Sequence, residues 1–252
     1  MTRAGLVCLL AGLMGLPLCA VAGDTVRVGF KSGKAPYVMA SAPYTDSDYD
    51  MTRRLGIEVS LVQEALAPFG KTVHPVYMNF HRMPRQLLDG KIDAASNVPG
   101  DLPGVLYVER FLRLRDHIIV RADLGRQVAG LGDLTGLRVA AFQRAKDFLG
   151  DDYRAAVATF ASYHEIDDQK NQVLLFLAGR ADALVIELGI FKYWAKALGG
   201  EQPGYHATPL LKDPFWIGVG FRDPALRDQF VDGLARLVKS GRYDQIYAEY
   251  LD

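Results

Sequence analysis

The stretch LLDGKIDAASN, Leu87 to Asn97, returns in altered form as FLAGRADALVIE, Phe176 to Glu187. Both copies read apolar–x–x–Gly–Lys/Arg–x–Asp–Ala and run into a short apolar segment. The aspartates, Asp93 and Asp182, stand 89 positions apart. One copy constrains little. Two at nearly domain spacing require a chain that builds one unit twice. In itself Gly-Lys/Arg-x-Asp is good turn chemistry and implies no site. What matters is where the strand behind each turn ends, at Asn97 in one copy and Glu187 in the other.

The order of elements around each copy is the same. Val26, Val28 and Phe30 alternate with polar residues in DTVRVGF, a strand over Asp24 to Phe30, followed by a Gly/Pro/Tyr-rich loop over Lys31 to Tyr49. IEVSLVQEALAPFG has helical spacing and a Pro/Gly stop. TVHPVYM is a strand, Arg82 to Leu88 a short helix closed by Gly90, and IDAASN a strand. In the second half LRVAAF, Leu137 to Phe142, is a strand opened by DLTG. A helix lies within Ala145 to Phe160, another over Asp167 to Ala178, then the strand ADALVIE and a helix over Leu188 to Leu198. FWIGVGF, Phe215 to Phe221, is a further strand. Helices over Pro224 to Ser240 and in RYDQIYAEYL end the chain. Alternation of this kind predicts an α/β protein with a mostly parallel sheet covered by helices. In open α/β sheets, ligands bind beyond the carboxyl ends of the strands. Two facing lobes then put Asn97 and Glu187 on opposite walls of one cleft.

The chain has 252 residues, 50% hydrophobic and 23% charged, which is enough for one large domain or two smaller ones. Lys+Arg and Asp+Glu are both 29, so no basic excess favours nucleic acid or anionic lipid. The histidines (His74, His81, His117, His164, His206) form no HxxxH or HxH pair, so no metal site is expected.

Arg3 precedes an apolar run from Ala4 to Cys19 broken by Pro17, and Ala20-Val21-Ala22 supplies small residues for a signal peptidase. This reads as a secretory signal over residues 1–22, cleaved after Ala22 or Gly23. A membrane anchor would need a longer run, and lipid attachment at Cys19 a smaller residue than Leu18 before it. Cys8 and Cys19, the two cysteines, both lie in this segment. A mature chain without disulfides suits a bacterial periplasm, and it excludes a cysteine nucleophile. No second run of about 18 apolar residues follows, so no direct membrane insertion is expected after cleavage.

These residues resemble the family 3 extracellular solute-binding proteins of ABC importers for polar amino acids. The resemblance rests on VRVGF with Ala35-Pro36-Tyr37, LGIEVSLVQEAL, LLDGKIDAAS, DLTGLRVAAF, GRADALVIE and GVGFRDPALRDQFVDGLARLVKSGRYDQIYAEYL, in that order over nearly the whole mature chain. It implies a two-lobe periplasmic binding protein of type II. Lobe 1 would hold 24–110 and 222–252 and lobe 2 would hold 116–216, with hinges at Phe111 to Arg115 and Ile217 to Phe221. Two such lobes close like jaws.

The resemblance also implies a site. Glu187 matches the acidic residue that holds the ligand's ammonium group, a strong directional contact; on the residues alone it is equally a helix-start Glu facing the macrodipole. Phe80 matches the aromatic that covers the ligand, and Tyr37 the first-loop aromatic of the same wall. Asn97 and Val98 fall where backbone groups meet ligand. Phe142, Gln143 and Arg144 occupy the loop before a helix whose N–H groups can bind a carboxylate. Lys31 adds a cation where the family often has Asp.

The chain also departs from the pattern. The family's Thr-x-x-x-x-Arg, whose Arg grips an α-carboxylate, falls on NVPGDLPGVLYVER, with Gly100 and Val105 at the two positions. The family's Phe-Ser-x-Pro-Tyr segment is reduced to VERFLRL. Arg144, Arg82 and Arg85 are candidate substitutes. The ligand accordingly lacks an amino-acid head group or binds differently.

Three functions follow. The first is periplasmic binding of a small polar solute, with a membrane permease as partner, no cofactor and a monomeric chain. The second is a sensory or accessory module with a separate partner. The third is an enzyme on the same scaffold that dehydrates cyclic carboxylic acids; for this the sequence offers Glu187 but no paired acid and base, no GxSxG and no metal triad. Tyr243, Ile246, Tyr247 and Tyr250 at helical spacing read as a stripe packing on lobe 1. Trp194 and Trp216 read as core or rim aromatics.

Overall fold

A computed structural model of the protein describes residues 24–39, 55–199 and 203–251. The expected leader with Cys8 and Cys19, and residues 40–49 of the first loop, lie outside them. The alternation of the sequence becomes β1 (Asp24–Lys31), α1 (Ile57–Leu66), β2 (Lys71–Met78), α2 (Met83–Leu88) and β3 (Ala94–Ser96). The second unit is β6 (Arg138–Phe142), α3 (Ala145–Phe148), α4 (Gly150–Val157), β7 (Ser162–Ile166), α5 (Gln169–Leu177) and β8 (Ala183–Glu187), followed by α6 (Leu188–Leu198). Between the units run β4 (Leu106–Leu114) and β5 (Asp116–Arg121). After α6 come β9 (Tyr205–Pro209), β10 (Phe215–Phe221), α7 (Pro224–Ser240) and α8 (Arg242–Leu251).

The strands form two five-stranded sheets, β2-β1-β3-β10-β4 and β7-β6-β8-β5-β9. The orders correspond position by position, and this is the doubled unit that the repeat implied. The parallel pairing expected from the alternation covers three strands in each sheet. The other two strands pair antiparallel, so both sheets are mixed. The reason is topological. β10 and β4 carry the chain between the sheets, and a strand that returns from the other body enters against the local direction. The chain passes from β4 to β5 at Arg115 and returns between β9 and β10.

The expected helix over Ala145 to Phe160 is two helices, interrupted at Leu149-Gly150, where Gly150 takes φ +81°. Four strands carry no clear signal in the sequence. β7 and β9 are edge strands without a fully buried residue, and β4 buries only Phe111 and Leu112. β5 is apolar in its middle but begins on two ionisable residues, Asp116-His117.

The repeated motif is a structural tie. The Asp182 carboxylate accepts the Arg138 backbone N–H at 2.8 Å and the Arg138 Nη2 at 2.6 Å, while Nη2 also reaches the Gly179 carbonyl at 2.9 Å. In the first sheet Asp93 accepts the Arg27 N–H at 2.8 Å, and Arg27 Nη2 reaches the Gly90 carbonyl at 3.1 Å. Gly90 and Gly179 take φ +71° and +67°, a left-handed turn that glycine adopts without steric cost. The motif therefore sits at the base of each sheet and sends β3 and β8 toward the opposite end. The expected tyrosine stripe packs under the first sheet, and it also grips the crossing strand. Tyr243 donates to the Phe111 carbonyl at 3.1 Å, and the Tyr247 hydroxyl bonds both the N–H and the carbonyl of Arg113 at 2.9 Å.

Removing the tie costs most where it is most buried. The Asp182 side chain is 12% exposed and that of Asp93 35%. Asp182→Ala strands a backbone N–H and a guanidinium, a loss of roughly 2–3 kcal/mol. Asp93→Ala should cost about half as much. By differential scanning fluorimetry, Asp182→Ala is expected to lower Tm by roughly 4–10 °C, the larger drop of the two.

Candidate functional site

Where the two sheets face one another, the carboxyl ends of their strands enclose a cavity of about 90 Å³. Each structural level contributes to it. The ends of β1 and β3 supply Lys31 and Asn97, and the turn after β2 supplies Phe80. From the second sheet, Phe142, Gln143 and Arg144 arrive at the end of β6, and Glu187 at the end of β8. The crossing strands form the floor with Leu114, Asp116, Phe215 and Ile217.

Glu187 combines the two roles open to it from sequence. Its backbone is extended, at φ −66° and ψ 132°, and its Oε2 accepts the Ile190 N–H at 2.9 Å, so it caps α6. Gly189 N–H and the Tyr37 hydroxyl also favour its ionised form. It also lines the cavity while only 7% exposed. Tyr37 does not line the cavity; it is 1% exposed and stands behind Glu187. Phe80 lies on the opposite wall. Its ring meets Phe148 edge-on at 6.3 Å, and the Arg144 guanidinium carbon lies 5.1 and 5.3 Å from the centres of the Phe80 and Phe148 rings. Lys31 bridges the lobes at the rim, with Nζ 3.3 Å from the Asp167 carboxylate and 3.1 Å from its carbonyl oxygen.

Among the described residues, two non-glycine residues have left-handed backbones, Asn97 at φ +59° and Arg144 at φ +66°. Both line the cavity. Such conformations cost on the order of 1–3 kcal/mol and persist where the surroundings impose them. Asn97 is held by its N–H, which donates to the Gly218 carbonyl of β10 at 2.9 Å. Arg144 is held by Glu165, whose carboxylate accepts the N–H groups of Arg144 and Lys146 at 2.8 and 3.2 Å. Those are the helix-start donors that sequence marks for a ligand carboxylate; the carboxylate they bind is the protein's own.

Of the substitute arginines, only Arg144 lines the cavity. Arg85 pairs with Asp89 on an exposed turn, and Arg82 is exposed. Val105 packs against the cluster of Met78, Phe80 and Met83. Neither Trp194 nor Trp216 borders the cavity. Sequence reasoning missed Lys34, Phe148, Phe215 and, above all, Asp116. The signal for Asp116 is an acid at the head of the apolar run HIIV, in a strand whose pattern is too short to stand out. Its partner across the β5–β8 ladder is Glu187. Directly opposed residues of an antiparallel pair share a face with Cβ atoms about 5 Å apart.

Burial sets the electrostatics. It pushes the Asp116 carboxyl up to about 7. Burial also lifts Glu187 to about 7, with the Asp116 charge adding and the Ile190 N–H opposing. Tyr37 is raised by burial and by Glu187. Lys31 is lowered by burial, against the Asp167 charge. Among the described residues, no group of three or more His, Cys, Asp or Glu is placed to hold a metal, and no helix is long and apolar enough to cross a membrane.

No protein-family model and no curated protein matches the chain. Solved structures do. An ABC uptake transporter substrate-binding protein from Streptococcus pneumoniae with bound histidine is 17% identical, with a TM-score of 0.68 over 90% of this chain and 92% of its own. A histidine kinase sensor domain with similarity to periplasmic binding proteins is 21% identical, with a TM-score of 0.69 over 91% and 97%. An ancestral amino acid-binding protein, a precursor of cyclohexadienyl dehydratase, is 18% identical, with a TM-score of 0.66 over 91% and 96%. The chain has the two-lobe, type II periplasmic binding protein fold.

The raised carboxyls have a measurable consequence. In the folded protein Asp116 and Glu187 keep their protons to about pH 7, against ordinary values of 3.8 and 4.5. Folding therefore takes up protons in this window, and their stabilising contribution is full below about pH 4 and lost as pH rises to about 7. The other ionisable side chains at the cavity are Lys31, Lys34, Arg144 and Asp167, with Tyr37 behind Glu187. Asp116→Asn removes one share of the loss. The Tm of the unliganded wild type is expected to fall relative to that of Asp116→Asn between pH 5 and pH 8.

Proposed function

We propose that this protein is exported to the periplasm by a cleaved leader over residues 1–22. There it binds a small polar, amine-bearing solute between two closing lobes and delivers it to a membrane ABC importer. The observation that carries this reading is the convergence of strand ends from both sheets on one cavity, with the buried Glu187 carboxylate on one wall and the Phe80 ring on the other. The division into lobes over 24–110 with 222–252 and over 116–216 belongs to the same proposal. Bending is assigned to Phe111–Arg115 and Ile217–Phe221, where few connections resist a hinge. The chain acts as a monomer with a separate membrane partner and no cofactor. Binding drives closure only by its differential affinity for the closed form.

Two observations support other uses of the same site. A sensor domain is among the solved structures with this fold, and sensing differs from delivery only in the partner. Two neighbouring carboxyls raised to about 7 are suited to proton transfer, which supports a dehydratase-type enzyme.

A thermal-shift screen of the chain from Asp24 onward, against amino acids, amines and small carboxylates, tests the reading. At 100-fold excess over Kd a ligand adds about 2.7 kcal/mol to stability, so at least one amine-bearing solute should raise Tm clearly. Glu187→Gln keeps the helix cap but not the charge, and Phe80→Ala removes the opposite wall. Each should weaken binding by about tenfold or more without loss of the unliganded fold. If no solute shifts Tm, or both variants bind as wild type does, the proposal fails. Recovery of the ligand chemically unchanged separates binding from catalysis. Stimulation of a reconstituted permease's ATPase separates delivery from sensing.

A further inference from the structure

Charge around the cavity is unevenly compensated. Lys31 is paired with Asp167 at 3.3 Å, and Lys34 with the fully buried Glu58 at 2.5 Å. Arg144 Nε is 2.9 Å from Asp147, and its guanidinium is near two phenyl rings. The backbone donors at the start of α3 belong to Glu165. Every cation bordering the cleft is thus already neutralised by a carboxylate of the protein. The converse does not hold. Glu187 is met only by neutral donors, from Ile190, Gly189 and Tyr37. The Asp116 carboxylate, on the cavity floor, makes no hydrogen bond or ion pair among the described residues. The two stand opposite each other on adjacent strands. The remaining surface is mostly apolar, with Phe142, Phe148, Phe215, Leu114 and Ile190.

From this charge balance we infer that the ligand is a compact organic cation without a carboxylate: an ammonium group on an apolar or aromatic body, seated between Asp116 and Glu187. The inference rests on the solute-binding reading above and narrows it. Asp116 is the specificity-determining residue. An ammonium gains charge-assisted hydrogen bonds to two carboxylates and lies near aromatic faces. A ligand carboxylate would lose its hydration and meet no unpaired cation, only the neutral amides of Asn97, Gln143 and Gln169. Discrimination against amino acids then comes from the unfavourable placement of their anionic end beside two acids.

Isothermal titration with matched pairs decides the matter: phenethylamine against phenylalanine, cadaverine against lysine, agmatine against arginine. An amine whose body fits is expected to bind about tenfold or more tighter than its amino acid. Asp116→Asn should weaken that amine by about tenfold or more and shrink its advantage over the amino acid. Unliganded Tm reports whether the variant folds, and Asp116→Ser replaces it if it does not. An amino acid that binds as tightly as its amine, through a site lost in Phe80→Ala, overturns the inference and leaves the receptor reading standing. Unchanged amine affinity in the folded variant removes Asp116 from the role assigned to it. Failure of every compound in the wider screen rejects the receptor reading, and this inference with it.

Discussion

The contact on which the geometry depends is the aspartate tie at the base of each sheet. Asp182 holds the first residue of β6 through backbone and guanidinium at once, and Asp93 does the same near the start of β1. A tie of this kind sets where the third strand of the unit begins relative to the first. Strand side chains alternate with a period of two, so a slip of one residue would turn every buried side chain of β8 to the other face. With Val139 opposite Ala183, β8 runs five residues and ends with Glu187 at the cleft. The motif is at the other end of the strand from the cavity, yet it decides which residue reaches it.

At the far end, the interactions are arranged for tension. Glu187 caps a helix and faces a cavity. Two left-handed non-glycine residues stand beside it, and Asp116 adds a second acid without a counter-charge. From Glu187, contacts continue through Tyr37 to the ring of Tyr247, 6.2 Å away, whose hydroxyl holds the backbone of Arg113 on the crossing strand. The acid on the cavity wall and the crossing strand β4 are therefore separated by two tyrosines. Satisfying Glu187 with neutral donors keeps it buried and poised; a cation arriving there changes the electrostatics of the whole constellation.

Much of this was legible in the sequence, for identifiable reasons. Helices α6 and α7 match their expected limits because caps and glycine stops are local signals, Glu187 and Asp223 at the start and Gly199 and Gly241 at the end. Strands with a continuous apolar run, β8 and β10, were equally plain. β4, β7 and β9 were not, since little or none of their surface is fully buried, and the break at Gly150 gave no warning inside a helical pattern. At the site, Glu187, Asn97, Phe80, Phe142, Gln143, Arg144 and Lys31 border the cavity, since each lies at or just beyond a strand end, whereas Tyr37, Val98, Arg82 and Arg85 do not. Asp116 escaped because its strand did.

By itself, the sequence determined the doubled α/β unit and the two strand ends, Asn97 and Glu187, that line one cavity. These depend on periodicity and on short-range turn chemistry, which are written in consecutive residues. Only the tertiary structure decided that Glu165 fills the helix-start anion position, that every cleft cation is neutralised, and that Asp116 stands opposite Glu187. Those facts are pairings between residues distant in the chain. Charge compensation is a property of what lies within a few ångströms in space, and no local pattern encodes it.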